Sequence, residues 1–461
     1  MIIRTSRDFS ARLGKHVFAE SLRARLIRGV SWNLVGTIFN QGSTFLVNII
    51  LANVWGLHLF GEYAMVQTTL SVVTTMAQVS TGYTATKYVA EFRARDRKRA
   101  GRILALCGLV SIATATIAVL ALLLASRWLA VEALSAPQLT PVLMVAAGLV
   151  FFSVTSGFLL GALAGLESYQ ALARAGIISG ILYVILCWLG GAIGGLTGAV
   201  GAQALSAAIA CALLTRFVIT EAAKQGIEFR WRDASQEADV LVKFALPAAL
   251  NSFVALPAIW LANAILARQP HGYDQLALFA AANNFRIIVL FVPQIMNNVG
   301  MSLLNNERGA ENAASCRRIF WTNLFLTIGV TLAAAGALVV AGPWILQIFG
   351  SRFGDGYRVL VVLMIAAVPE AIAFATVQPM LAHERLWLVF FGRVLPCHLT
   401  LLAVAWLLAP SLGAVGLALG WVAGWTIALL VDVTVVWRTG LWAAPKPVGV
   451  IGTAAVADRT W

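Results

Sequence analysis

Residues 280–300 read AAANNFRIIVLFVPQIMNNVG, an apolar stretch long enough to cross a bilayer, with Arg286 near its middle. Asn283, Gln294 and Asn297 recur on roughly the same helical face, at steps of three, eight and three residues from Asn283 through Arg286. An unpaired charge inside a membrane costs about 2.5 kcal/mol or more, so such a residue normally faces a polar cavity or an ionic partner. The stretch therefore predicts a membrane helix whose arginine has one or the other.

The composition extends this prediction to the whole chain. Of 461 residues, 60% are hydrophobic and 11% are charged, whereas soluble domains carry about 25% charged residues. Apolar runs recur along the whole length, which predicts an all-α polytopic membrane protein with twelve transmembrane helices. The predicted spans are 30–54, 63–83, 103–125, 142–163, 172–190, 199–219, 241–267, 276–301, 319–348, 360–381, 386–408 and 414–436.

The basic residues predict the orientation of these spans. With the N-terminus inside, the cytoplasmic segments hold 27 of the 33 lysines and arginines and the opposite side holds four, so both termini are expected in the cytoplasm. The net charge of +13 then reflects topology and contact with anionic membrane lipids, and we expect no nucleic-acid partner. The predicted regions are a basic amphipathic segment (1–28, alternatively a disordered tail), a six-helix half (29–219), a cytoplasmic linker (220–240), a second six-helix half (241–438) and a cytoplasmic tail (439–461).

The two halves show traces of a duplication. Leu-Ala-Asn at 51–53 matches Leu-Ala-Asn at 261–263, and a tyrosine follows each at the same spacing, Tyr63 and Tyr273. Further on, Arg174 and Arg393 fall one position apart in the corresponding register. Because each half has an even number of spans, both begin inside. The sequence predicts two pseudo-symmetric, parallel repeats related by an axis along the membrane normal.

Three stretches carry a resemblance to a known family. They are RGVSWNLVGTIFNQGSTFLVNIILANVWGLHLFGEYAMVQ (28–67), GALAGLESYQALA (161–173) and FGSRFGDGYRVL (349–360). They resemble bacterial polysaccharide-export flippases of the multidrug/oligosaccharidyl-lipid/polysaccharide exporter superfamily. The resemblance implies a multi-pass protein of the bacterial inner (cytoplasmic) membrane. It further implies a flippase that moves undecaprenyl-diphosphate-linked oligosaccharide units to the periplasmic leaflet for exopolysaccharide, capsule or O-antigen. The partners implied are that lipid, a polysaccharide polymerase and export machinery.

Such a cargo requires a polar, cation-lined cavity between two helix bundles that work by alternating access. The first span offers a polar stripe that includes Asn33, Asn40 and Gln41, although such amides also join helices to one another. Arg286, with Asn283, Gln294 and Asn297 on its face, is the candidate for binding the diphosphate, because arginine keeps its charge and makes forked hydrogen bonds to phosphate. The alternative for Arg286 is an ion pair with Glu370, which follows Pro369 in a predicted span.

The remaining charged candidates are Glu370, Arg393 and Arg174. Glu370 is a candidate for proton or sodium coupling, or the structural partner of Arg286. Arg393 and Arg174 are candidates for basic groups at the cytoplasmic mouth of the cavity, although Arg393 could instead snorkel to the surface. Asp432, close to the cytoplasmic end of its span, is expected to be solvated.

Other classes of function are less well supported. The five histidines and five cysteines are dispersed, without a catalytic constellation or metal-ligand spacing, so we expect no enzyme activity, no metal and no cofactor. A small-molecule transporter, either of the major-facilitator type or a drug–cation antiporter, is the alternative. The loop ARDRKRAGR (94–102) lacks much of the major-facilitator motif, and the first six spans carry no acidic residue near their middle.

Overall fold

The computed structural model describes the backbone of residues 3–238, 246–309, 313–382 and 386–439. Within these ranges the side chains at 3–35, 235, 246–252, 302–309, 313, 379, 382, 386, 436, 437 and 439 are not described. The described chain is helical and contains no β-strand, as the apolar runs predict. Its α-helices are α1 (Ile3–Gln78), α2 (Thr81–Phe92), α3 (Arg97–Trp128), α4 (Leu139–Gly165), α5 (Tyr169–Lys224), α6 (Leu246–Ala267), α7 (Gly272–Gly309), α8 (Ala313–Ile345), α9 (Tyr357–Thr376), α10 (Gln378–Ala382), α11 (Leu386–Val389), α12 (Leu395–Leu412) and α13 (Ala414–Thr439).

Among the described residues, nine helices are long and apolar enough to cross a membrane. A further apolar helix, Phe253–Ala267, is shorter. The count of twelve spans and the cytoplasmic placement of both termini therefore stay predictions. The nine are Gly36–Gln78, Arg97–Ala133, Leu139–Gly165, Tyr169–Lys224, Gly272–Met301, Ala314–Phe349, Ser351–Thr376, Trp387–Leu412 and Ala414–Val435.

Two of these helices are divided by glycines. Gly56 breaks α1 at φ 72° and ψ −168°, and Gly195 breaks α5 at φ 56° and ψ −142°. Glycine adopts positive φ without the clash that a Cβ causes, so it allows the chain to turn within a few residues. Both breaks fall where the sequence predicts a short loop between two spans. The long helices α1 and α5 are thus each two helices joined at a tight turn.

The chain divides into two compact units. Unit 1 consists of Met1–Val54 and Thr69–Ala249, and unit 2 consists of Trp55–Thr68 and Leu250–Trp461. In unit 1, α4 packs against α2, α3 and α5, and its core is built from apolar side chains of these helices. In unit 2, α9 and α13 are central, with α7, α8 and α12 packed around them. The predicted halves differ from these units mainly in the segment Trp55–Thr68, which packs with unit 2.

The segment Trp55–Thr68 follows the break in α1 and is held in unit 2 by polar and aromatic contacts. His58 Nδ1 lies 3.3 Å from Asp274 Oδ1, and Asn263 Nδ2 donates a hydrogen bond of 3.3 Å to Thr68 Oγ1. Phe60 packs edge-on against Phe353, with 5.7 Å between ring centroids. These contacts join residues about two hundred to three hundred positions apart, and no local pattern in the sequence predicts them.

Gly61, within this segment, supports a testable prediction. A Cβ placed on Gly61 would lie 1.8 Å from the carbonyl oxygen of Tyr273, which is backbone and cannot rotate away. We expect Gly61→Ala to destabilise the protein by about 1–3 kcal/mol, the usual range for overpacking. The measurement is the thermal unfolding midpoint of the purified full chain in detergent.

The control for this variant is Gly329→Ala, because a Cβ at Gly329 meets nothing within 4 Å. An alanine at a helical position of this kind is neutral or stabilising by up to about 1 kcal/mol. Equal midpoints for the two variants would show that Trp55–Thr68 does not pack against Tyr273 in this way.

A buried charge cluster as candidate functional site

Arg286, the charged residue in the apolar pattern of α7, is buried inside unit 2 and contacts three side chains there. Arg286 Nη1 forms an ion pair with Glu370 Oε2, and its Nε donates a hydrogen bond of 2.8 Å to Asn283 Oδ1. The guanidinium also lies 4.2 Å from the ring centroid of Trp421, a cation–π distance. Arg286 is 6% exposed and Glu370 is 4% exposed. Of the two interpretations of Arg286, the structure contains the ion pair.

A second ion pair lies on neighbouring helices of the same unit. Arg393 Nε is 3.3 Å from Asp432 Oδ2, and Thr376 donates a 3.3 Å hydrogen bond from its Oγ1 to the same oxygen. Arg393 is 7% exposed and Asp432 is 0% exposed. Asp432 Oδ1 has no hydrogen-bond partner among the described residues. A buried carboxylate oxygen in this condition can accept a proton, a cation or a water molecule.

These positions correct two expectations. Arg393 does not snorkel to the surface: it is buried in a π-helical turn at Phe390–Val394, and its guanidinium lies beside the packed rings of Phe374 and Trp425, at 5.8 and 5.7 Å from their centroids. Asp432 is not solvated, although it lies near the end of its predicted span. Distance from a helix end is a poor guide to exposure when a neighbouring helix covers that end. Asp432 is the residue of this site that the sequence analysis missed.

The two ion pairs form one cluster. Arg393 lies within electrostatic range of Glu370, which joins the second pair to the first. We refer to Arg286, Glu370, Arg393 and Asp432 as the four-charge cluster. Two cations and two carboxylates give it no net charge, which makes its burial tolerable as long as all four are present. Removing any one leaves an uncompensated charge away from water, which costs about 3–5 kcal/mol.

The predicted polar face of α7 divides into three environments. Asn283 belongs to the four-charge cluster through Arg286. Asn297 is buried in a separate amide group: its Oδ1 accepts a 2.7 Å hydrogen bond from Asn323 Nδ2, and its carbonyl oxygen accepts one of 2.6 Å from Gln378 Nε2. Gln294 is exposed. The structure thus does not bring Gln294 and Asn297 together with Arg286.

The candidates of the first half belong to unit 1. Asn40 and Gln41 are exposed on α1, within a helix apolar enough to span a membrane. The side chain of Asn33 lies outside the described residues. Arg174 is exposed near the start of α5 and lines a cavity of about 790 Å³. Among the described residues, no group of three or more His, Cys, Asp or Glu side chains is arranged to hold a metal ion.

Comparison with known proteins identifies the family. The polysaccharide biosynthesis protein family matches residues 26–304, more than half of the chain. The chain belongs to this family. The match confirms the family relationship predicted from the stretches at 28–67 and 161–173, and it runs from residue 26 within α1 through α6 and most of α7.

The curated relatives are export proteins. The chain is 25% identical over 371 residues to the EPS I polysaccharide export inner membrane protein EpsE of Ralstonia nicotianae, covering 80% of this chain and 83% of that protein. It is 24% identical over 357 residues to EpsE of Ralstonia solanacearum, covering 77% and 80% of the two chains. These relatives, together with the nine apolar helices in the described part of the chain, identify a multi-pass protein of the inner membrane, as predicted.

Solved structures show the same fold. A multidrug resistance MATE family transporter of the MOP superfamily superimposes with a TM-score of 0.74 at 15% identity, covering 90% of this chain and 98% of that chain. A MOP superfamily transporter from Pyrococcus furiosus gives a TM-score of 0.68 at 16% identity, with coverage of 92% and 96%. The chain therefore has the fold of MOP superfamily transporters. At this level of identity the comparison concerns the fold alone.

Proposed function

We propose that this protein is a flippase that moves undecaprenyl-diphosphate-linked oligosaccharide units from the cytoplasmic to the periplasmic leaflet. In this proposal it acts by alternating access, as a transporter and not an enzyme. The family match and the names of the export relatives support the substrate class. The observation that carries the proposal is the exposed polar face of α1, where Asn40 and Gln41 lie on a membrane-length helix. Exposed amides at such a position need a polar environment, and the hydroxyl groups of a sugar supply one.

We further infer twelve spans with both termini in the cytoplasm. The division of two of the nine helices at Gly56 and Gly195, together with the shorter helix Phe253–Ala267, supports the count. The bias of 27 basic residues against four supports the orientation. The expected partners, a polysaccharide polymerase and export machinery, would act on the receiving side of the translocated lipid.

For the energy source we propose a proton or sodium ion bound within the four-charge cluster. Glu370 is the candidate that its position beside Pro369 suggests. Asp432 is a second one because its Oδ1 has no partner in the described part of the chain. Neutralising Glu370 would remove the charge that holds Arg286, and the freed guanidinium could then bind a phosphate oxygen. The two interpretations of Arg286 thus describe successive states of one residue.

The test of the proposed function is a strain that lacks this chain. We expect its surface polysaccharide to fall by about tenfold or more and its lipid-linked oligosaccharide to accumulate in the cytoplasmic leaflet, because the only step removed is transfer across the hydrocarbon. Polysaccharide is measured at the cell surface, and the lipid-linked precursor by its protection from an added glycosidase in inside-out and right-side-out vesicles. The native chain supplied on a plasmid is the control. Unchanged polysaccharide and unchanged precursor would overturn the proposal.

The alternative is a small-molecule transporter, and the MATE fold favours a drug–cation antiporter over a major-facilitator protein. The same strain distinguishes the two. If the protein is a drug antiporter, the strain should have lower resistance to cationic drugs and normal surface polysaccharide. If it is a flippase, the strain should have low surface polysaccharide and normal drug resistance.

A further inference from the structure

We propose that unit 1 contains a binding site for a lipid with a phosphate headgroup, formed by a basic pocket and an adjoining apolar groove. The pocket has a volume of about 790 Å³ and lies where the loop between α4 and α5 meets both ends of α5. Because α5 turns back at Gly195, its first turns around Arg174 and its last turns from Arg216 to Gln225 form opposite walls. The site does not depend on the proposed function.

The charges of the pocket leave two arginines available. Its four cations face two carboxylates, so its lining carries two net positive charges. Glu167 is already paired with Arg93, and Glu221 with Lys224 at 2.7 Å. Ser168 adds a 3.2 Å hydrogen bond from its Oγ to Glu221.

Arg174 and Arg216 are exposed, and neither has an acidic partner among the residues that the structure describes. Two free guanidinium groups facing one cavity are suited to the forked hydrogen bonds that a phosphate accepts.

The backbone amides at the start of α5 also favour an anion in the pocket. The first residues of α5, Tyr169 to Ala171, line the pocket, and the N-cap residue Ser168 makes no side-chain hydrogen bond to their amides. The first amides of a helix have no partner within the helix and carry partial positive charge, so they favour an anion. This term adds to the arginines and would not make a site without them.

The groove beside the pocket offers an apolar surface, which suits a ligand with a hydrocarbon chain. A cavity of about 540 Å³ shares Arg216 and Thr220 with the pocket. From there it follows α5 back to Ala208, against Phe152 of α4, a distance of about 18 Å at 1.5 Å per residue. Apart from Arg216 and two threonines, its lining is apolar.

A water-soluble phosphate has no groups that pack on this apolar surface, whereas the hydrocarbon chain of a lipid can lie along it. The combination selects a phosphate joined to a hydrocarbon chain. An anionic phospholipid and an isoprenoid phosphate both have this chemistry.

The site is tested by native mass spectrometry on the purified full chain. The probes are phosphatidylglycerol, undecaprenyl phosphate, diacylglycerol (which has chains but no phosphate) and inorganic phosphate. For Arg174→Ala/Arg216→Ala we expect the affinity for phosphatidylglycerol to fall about tenfold or more, because two charge-assisted contacts are lost. The matched control is Arg95→Ala/Lys98→Ala, which removes the same charge from exposed positions outside the pocket. It should bind as the native chain does.

A second variant tests the groove. Ala212→Trp fills it and should weaken the binding of both phosphate lipids without changing that of inorganic phosphate. The ratio of undecaprenyl phosphate to phosphatidylglycerol affinity distinguishes the two sources of the ligand.

Three results would overturn the site: phosphatidylglycerol binding that survives the double substitution, diacylglycerol binding of equal strength, or inorganic phosphate binding as tight as that of the lipids. Because binding is measured on purified protein, its loss is separate from any loss of polysaccharide in cells. Normal export by the double variant would leave the flippase proposal standing.

Discussion

Arg286→Met is expected to lower surface polysaccharide by about tenfold or more and to destabilise the protein. The substitution leaves Glu370 buried at 4% exposure without its cation, which costs about 3–5 kcal/mol. It also removes the hydrogen bond to Asn283 and the contact with Trp421. Polysaccharide is measured in the strain described above, and stability as the thermal midpoint of the purified chain.

The double variant Arg286→Met/Glu370→Met separates structure from transport. Two apolar side chains of similar volume replace a buried ion pair at little cost or with a gain in stability. We therefore expect its thermal midpoint to return close to that of the native chain while polysaccharide stays low, because the guanidinium and the carboxylate are both needed for transport. If polysaccharide recovered together with stability, the ion pair would be purely structural. The transport role proposed for Arg286 and Glu370 would then be wrong.

Asp432→Ala should destabilise the protein far more than the loss of an exposed charge from the same helix, α13. Asp432 is 0% exposed and is the partner of Arg393, so its removal leaves a buried guanidinium beside the rings of Phe374 and Trp425 with no carboxylate at this position. The expected cost is about 3–5 kcal/mol. The measurement is the fraction of protein that remains monodisperse after heating in detergent.

The control for this variant is Arg438→Ala, since Arg438 is an exposed charge near the end of the same helix. Exposed charges contribute about 0–1 kcal/mol, so this variant should behave as the native chain. If Asp432→Ala were equally silent, the carboxylate would have to be solvated, as its position near the helix end suggests, and the second ion pair would be absent.

The sequence predicted local features well because they depend on neighbouring residues. Apolar runs indicated the helices, and short glycine-containing loops indicated the breaks that the structure has at Gly56 and Gly195. The pairing of Arg286 with Glu370 could also be proposed, since a buried arginine needs an acidic partner and few acidic residues lie within spans.

What could not be predicted depends on contacts between distant parts of the chain. Asp432 is buried where α13 packs against α9 and against the π-helical turn Phe390–Val394 that holds its partner Arg393. The separation of Asn297 from Arg286 depends on Asn323 and Gln378, which belong to other helices. A helical face drawn from sequence shows which residues share a direction but does not show which neighbour each one meets.

The placement of Trp55–Thr68 in unit 2 has a consequence for how the protein is made. This segment leaves the ribosome long before its partners, because His58 and Asp274 are 216 positions apart. Glu62 is buried and Gly61 is closely packed in the folded protein. During synthesis neither residue can pack in this way until the later helices are inserted. The first helices of the chain are therefore made before the segment Trp55–Thr68 can pack against its partners. Completion of unit 2 is a late step, which only the last half of the chain makes possible.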